Sequence, residues 1–240
     1  MSNLSKSQEE LADLLLNTKI EAKVIRRKQK EDGSYYLEES QRPTSPIDFA
    51  KDPGEFALKV HEVNIEAPLS PIYVNLRNLP DNVLTKIARV LSEIPLETTQ
   101  EFCTGVPQAA LIIAKKFAEV SGIPFMDVFD KIGQNTHRKI VIKEGIHPKP
   151  DTKLLVIDDV VAHGKSKLEA LETAKTVGFY VNMLVLIDRE QGGVQQVEAE
   201  GCRVYAAMKL TDILDYYMDK QMITREQYKK TIEYLAKAKF

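Results

Sequence analysis

Leu154–Ala170 reads LLVIDDVVAHGKSKLEA, and this stretch decides the fold. Leu154, Leu155, Val156 and Ile157 form a short apolar run of the kind that makes a buried strand. Asp158 and Asp159 follow, then Val160 and Val161, then the loop Ala162-His163-Gly164-Lys165-Ser166. A helix is expected from Lys167 to Val177. Ligands of open α/β sheets sit at the carboxyl ends of the strands. A helix that starts there offers unpaired N–H groups and a partial positive charge to a phosphate. An acid pair on the strand tip can face hydroxyls or a magnesium-bound ligand. Together these features describe a site for a phosphorylated sugar. The loop is not a Walker A sequence, because its first glycine would fall on Asp159. Acid pairs after strands and isolated Gly-Lys-Ser triplets are both common, so the order of residues carries the reading rather than their composition.

Outward from this unit, strands alternate with helices. Val83–Ile94, Gln108–Ser121, Thr211–Lys220 and Arg225–Lys239 read as helices, and Thr224 with Gln227 makes a capping box for the last. Phe102–Val106, Pro124–Phe129, Lys139–Lys143, Val181–Ile187 and Val204–Ala207 read as strands, with a polar segment from Asp130 to Arg138. The pattern predicts an α/β fold with a mainly parallel sheet flanked by helices. Toward the N-terminus, Ser7–Asn17 is an amphipathic helix, and Glu21–Glu39 is a charged hairpin around Asp32-Gly33. Its Arg26-Arg27-Lys28 run reads as a solvated strand edge guarded by charge rather than a nucleic-acid patch. Ser40–Pro53, with Pro43, Pro46 and Pro53, reads as a loop.

The bulk numbers set outer bounds. The 240 residues suit one α/β domain with a small extra lobe, and 43% hydrophobic content allows a packed core. A net charge of -2 gives no general attraction to nucleic acid or to a membrane surface. The two cysteines, Cys103 and Cys202, lack both a disulfide framework and metal spacing, and read as small buried residues. No apolar run reaches the ~18 residues of a membrane span. The first residues lack the basic-then-apolar layout of a signal peptide, so the expected location is cytoplasmic.

LLVIDDVVAHGKS resembles the phosphoribosyl-pyrophosphate (PRPP) motif of type I phosphoribosyltransferases. Val185-Leu186-Ile187-Asp188-Arg189-Glu190-Gln191-Gly192-Gly193 is similar to the D-R-x-x-G segment of orotate phosphoribosyltransferases, above all the form in bifunctional UMP synthases. Phe56-Ala57-Leu58-Lys59 with Ser70–Arg77 resembles the family's F-x-L-K and S-P-I-Y-x-D-L-R segments. Gly105-Val106-Pro107-Gln108-Ala109-Ala110-Leu111 resembles its G-V-P-Y-x-A-L turn. The resemblance divides the chain into 1–55, an N-terminal helix, hairpin-like insertion and loop, and 56–240, the phosphoribosyltransferase domain. It also implies a small hood over the sheet.

The same resemblance implies a reaction and a set of roles. A pyrimidine nitrogen displaces diphosphate from C1 of PRPP, giving orotidine 5′-monophosphate in pyrimidine synthesis. Val161, Ala162, His163, Gly164, Lys165 and Ser166 would hold the 5′-phosphate. Asp158 and Asp159 would engage the ribose hydroxyls, directly or through metal-bound water, and favour positive charge on the ring. Arg189 matches the arginine that binds the orotate carboxylate, where a bidentate fork suits the shape. Lys59 matches a lysine near orotate and diphosphate, and Tyr73 lies in the segment covering the pyrimidine. Mg²⁺ is expected with the diphosphate, and a homodimer with a loop that crosses between subunits.

The departures are specific. Ala162 stands where the family loop has threonine, Gln108 where the turn has tyrosine, and Phe129-Asp130 near where an R-K-x-x-K-x-[HY]-G pattern supplies cations to diphosphate. Lys131, with His137, Arg138 and Lys139, is the candidate replacement. Two function classes follow: an active orotate phosphoribosyltransferase, or a binding and regulatory protein that keeps the fold and the phosphate loop but has little or no catalytic activity.

Overall fold

The computed structural model describes residues 3–133 and 139–237, except for the side chains of Lys59, Lys165 and Ser166. Helix α1 (Lys6–Asn17) precedes a hairpin of β1 (Ile20–Gln29) and β2 (Tyr35–Thr44). The short strands β3 (Ile47–Phe49) and β4 (Ile72–Val74) pair antiparallel. Helix α2 (Asp81–Ser92), strand β5 (Phe102–Gly105) and helix α3 (Leu111–Ser121) lead to a flap made of β6 (Phe129–Ile132) and β7 (Lys139–Ile142). The remainder alternates: β8 (Thr152–Val161), α4 (Lys165–Thr176), β9 (Phe179–Asp188), α5 (Gly193–Ala199), β10 (Val204–Lys209), α6 (Leu210–Asp219) and α7 (Arg225–Lys237).

The central sheet has the order β10-β9-β8-β5, and every pairing in it is parallel. Both of its faces are buried, which is why its strands read as unbroken apolar runs. Side-chain alternation assigns the faces. Leu155, Ile157, Leu184 and Leu186 join a core with α1, α2, α3 and α6. Leu154, Val156, Val181, Met183 and Val185 join a second core with Ala170, Leu171 and Ala174 of α4 and Val197 of α5. The sheet is therefore wrapped by helices on both sides, as the alternation in the sequence predicts. Cys103 and Cys202 are both buried, and burial pushes the Cys103 thiol up to about 12.

Three local expectations need correction. The segment read as a loop from Ser40 continues the hairpin to Thr44, which pairs with Ile20, and then forms β3. Pro43 is tolerated because each strand of a two-stranded ribbon has a free side where no N–H is needed. Pro124–Phe129 is not a strand. It touches the sheet through a single bridge, Phe125 to Cys103, and pairing begins at Phe129 and runs into residues whose polarity suggested a loop.

The third correction concerns the basic run on β1, whose arginines point into the protein rather than guard an edge. Arg26 and Arg42 donate to the buried Glu55 Oε1 at 2.7 and 3.0 Å. Arg27 Nη1 donates to the carbonyls of Ile65 and Ala67, both at 2.9 Å. Of the three basic residues only Lys28 is exposed, and it pairs with Glu38 across the hairpin at 2.6 Å. The hairpin is thus bolted at its base onto the 52–73 segment.

Candidate active site

β8 and β9 end side by side, with Asp158 opposite Val185 and Val161 opposite Asp188. Asp158 is 3% exposed. Its Oδ1 accepts the Asp159 N–H at 2.9 Å, and Asp159 Oδ1 accepts the Val160 N–H at 2.8 Å. These contacts hold both carboxylates against the backbone of β8, which stays paired with β9 as far as Val161. Burial, then the Asp158 charge beside it, pushes the Asp159 carboxyl up to about 7. Lys167, in the first turn of α4, places Nζ 2.9 Å from Asp158 Oδ2. Burial works against the lysine's charge, but the Asp158 carboxylate outweighs it and the ammonium is held above its usual range.

The phosphate loop is braced from the next crossover. The Arg189 N–H donates to Val161 O at 2.8 Å, and the Gly193 N–H to Ala162 O at 3.1 Å. The Gly164 N–H donates to Gln196 Oε1 at 2.9 Å. Gly193 is required for this approach, because a Cβ there would lie 2.7 Å from Val161 Cγ2 and 2.8 Å from Ala162 O. The acid-pair segment and the Asp188–Gly193 segment, 25 or more residues apart in sequence, form one unit at one end of the sheet. Gly164 leads directly into α4, so the helix N-terminus opens beside the acid pair.

Arg189 lies at the centre of this unit. Its residue is 7% exposed, and Nε and Nη2 are buried with no hydrogen-bond partner among the described residues. Burial lowers its affinity for a proton, with a small opposing influence from Tyr234 on α7. Buried guanidinium nitrogens without hydrogen-bond partners are costly. Desolvation and the charges of Arg189 and Lys167 hold His163 below its usual range, so it is these two cations that share one end of the sheet with the acid pair.

Asp158, Asp159, Val161–Gly164 and Arg189 are therefore brought together. Lys165 and Ser166 begin α4, and Lys59 begins a single 3-10 turn, Lys59–Glu62. Tyr73 lies on β4, stacked on Phe56 with ring centroids 4.9 Å apart, and its hydroxyl donates to Lys23 O at 3.2 Å. Burial raises its hydroxyl pKa. Lys131 lies on β6 of the flap, with an exposed side chain, while His137 and Arg138 fall outside the described residues. Nearby, Lys143 Nζ lies 2.6 Å from Asp127 Oδ2 and 3.7 Å from Asp130 Oδ1.

Sequence reasoning missed two residues of the site, Lys167 and Gln196. Lys167 had a signal: a lysine in a helix's first turn faces the positive end of the helix dipole, so it calls for an acidic partner. Gln196 had none, since its contact with Gly164 spans 32 residues and starts from a short helix.

No family model matches the chain. The chain is 30% identical over 171 residues to orotate phosphoribosyltransferase of Pyrobaculum islandicum, which covers 70% of this chain and 86% of that relative. It is 29% identical over 176 residues to uridine 5′-monophosphate synthase of Bos taurus, and there spans only 36% of the relative's length. The structure of Leishmania donovani UMP synthase superposes with a TM-score of 0.68 at 22% identity, over 96% of this chain and 42% of that one. The sheet order, the braced strand ends and these similarities lead to one assignment: the chain belongs to the orotate phosphoribosyltransferase family.

Proposed function

We propose that the chain transfers phosphoribosyl from PRPP to orotate. The observation that carries this reading is Arg189, a buried guanidinium with two unpartnered nitrogens beside a phosphate-type loop and an acid pair. A carboxylate on a planar ring is the anion whose shape fits that fork. In this reading the loop N–H groups and the α4 N-terminus hold the 5′-phosphate. Asp158 and Asp159 hold the ribose hydroxyls and favour the positive charge that develops on the ring. The orotate nitrogen forms its bond to C1 as the C1–O bond to diphosphate breaks, and the diphosphate leaves with the electron pair.

Magnesium fits this donor set. It keeps several waters and is commonly bound through carboxylates together with substrate phosphates. Asp158 and Asp159 would reach it through those waters, and when bound it would neutralise charge on the departing diphosphate. The reading extends to 56–240 as the catalytic unit, to a homodimer and to the cytoplasm. Among the described residues no helix is long and apolar enough to cross a membrane.

One observation favours the second reading, a ligand-binding protein with little or no turnover. Asp127 and Asp130 surround Lys143 on the flap where the family pattern supplies cations. The test is formation of orotidine 5′-monophosphate and release of diphosphate from orotate, PRPP and Mg²⁺. Turnover is expected, and Arg189→Ala should raise the KM for orotate by about ten- to a hundredfold, the value of one charge-assisted hydrogen bond or two. The KM for PRPP should change far less. Equal losses for both substrates assign Arg189 a structural role, and no diphosphate above background favours the binding protein.

A further inference from the structure

The acid pair has a cation built into it. Lys167 Nζ is 2.9 Å from Asp158 Oδ2, and the two side chains are 14% and 5% exposed, so the charges meet largely out of water. In that setting ionic strength screens them little. The lysine sits in the first turn of α4, where the helix dipole disfavours a positive charge and no acidic residue of that turn offsets it. Its place is explained by Asp158. The contact lacks hydrogen-bond alignment, since Oδ2 has no hydrogen-bond partner. The ammonium thereby compensates the Asp158 charge. Among the described residues, no third carboxylate, histidine or cysteine joins the pair to form a metal cage.

An anionic sugar phosphate approaching two carboxylates needs a positive charge between them and itself. A divalent cation is one source of that charge, and here an ammonium already lies on the acid pair. We propose that Lys167 is a positioning residue that does this neutralising work at the acid pair, so that the chain binds a ribose 5-phosphate without a divalent cation. The proposal rests on the sugar-phosphate reading of the Asp158–Ser166 segment. It concerns the ribose end of the ligand and leaves the diphosphate end to magnesium.

Calorimetric titration of the whole chain with ribose 5-phosphate, in Mg²⁺ and in EDTA, tests it. The wild type should bind with nearly the same affinity in both buffers. Lys167→Met should bind at least ~tenfold more weakly in EDTA and recover most of that loss in Mg²⁺, and Lys167→Arg should follow the wild type. A merely structural lysine would weaken binding equally in both buffers, and that result overturns the proposal. So does a Lys167→Met protein that matches the wild type in both. If Lys167→Met does not fold, the wild type decides alone: ribose 5-phosphate binding that disappears in EDTA overturns the proposal while the sugar-phosphate site stands. No binding by the wild type in either buffer overturns the site itself, and the proposal with it.

Discussion

Asp159 shows how one side chain ties the site to the stability of the fold. Its carboxyl is raised to about 7 by burial and by the neighbouring Asp158 charge. An unfolded aspartate titrates near ~3.9. Between these values the folded chain holds a proton that the unfolded chain has released, so this group's contribution to stability falls as pH rises through that window. Asp159→Asn removes the effect. Without metal or ligand, the variant's melting temperature relative to wild type should be more favourable at about pH 8 than at about pH 5. A relative melting temperature independent of pH would show that Asp159 is ionised across the range. Residues at this scale were legible in the sequence when their chemistry was written in adjacent positions: Asp158-Asp159, the Ala162–Ser166 loop and Asp188-Arg189. Lys167 was missed because its partner lies nine residues back around a turn, and Gln196 because only the fold brings α5 to the loop.

Among the elements, the flap formed by β6 and β7 carries the test between the two proposed readings, turnover and binding. Its Lys143 is occupied by Asp127 and Asp130, the latter near the place where the family pattern has a basic pair. Asp130→Lys removes one negative charge and adds a positive one. If the flap closes over diphosphate, this variant should release diphosphate at least ~tenfold faster, since one preorganised donor at a leaving group can contribute a factor of ~100 or more. An unchanged rate would place the flap away from the leaving group. The sheet strands and long helices were legible because burial on both faces leaves apolar runs too long to misread. β3 and β4, each of three residues, and α5, with seven, are too short to carry a period. β6 was masked by polarity, since Asp130 and Lys131 pair in a ribbon that exposes them rather than in the sheet.

Over the whole molecule, the two ends of the chain share one core. Leu11 and Leu15 of α1 lie in the same cluster as Leu214 and Tyr217 of α6. The Tyr217 hydroxyl donates to Ala12 O at 2.6 Å, and the Tyr216 hydroxyl bonds to Asp13 at 3.0 Å. Leu15→Ala should therefore cost ~2–5 kcal/mol and lower the melting temperature by roughly 10 °C. A loss under about 1 kcal/mol would mean that α1 packs loosely. The shared core also sets an order of events during synthesis. β5 has no full strand partner until β8 begins at Thr152, and the part of the α1 stripe that meets α6 stays uncovered until Leu210 is made. While the ribosome is still making the second half, the first half carries exposed leucines and an unpaired strand edge, the features that recruit chaperones and drive aggregation.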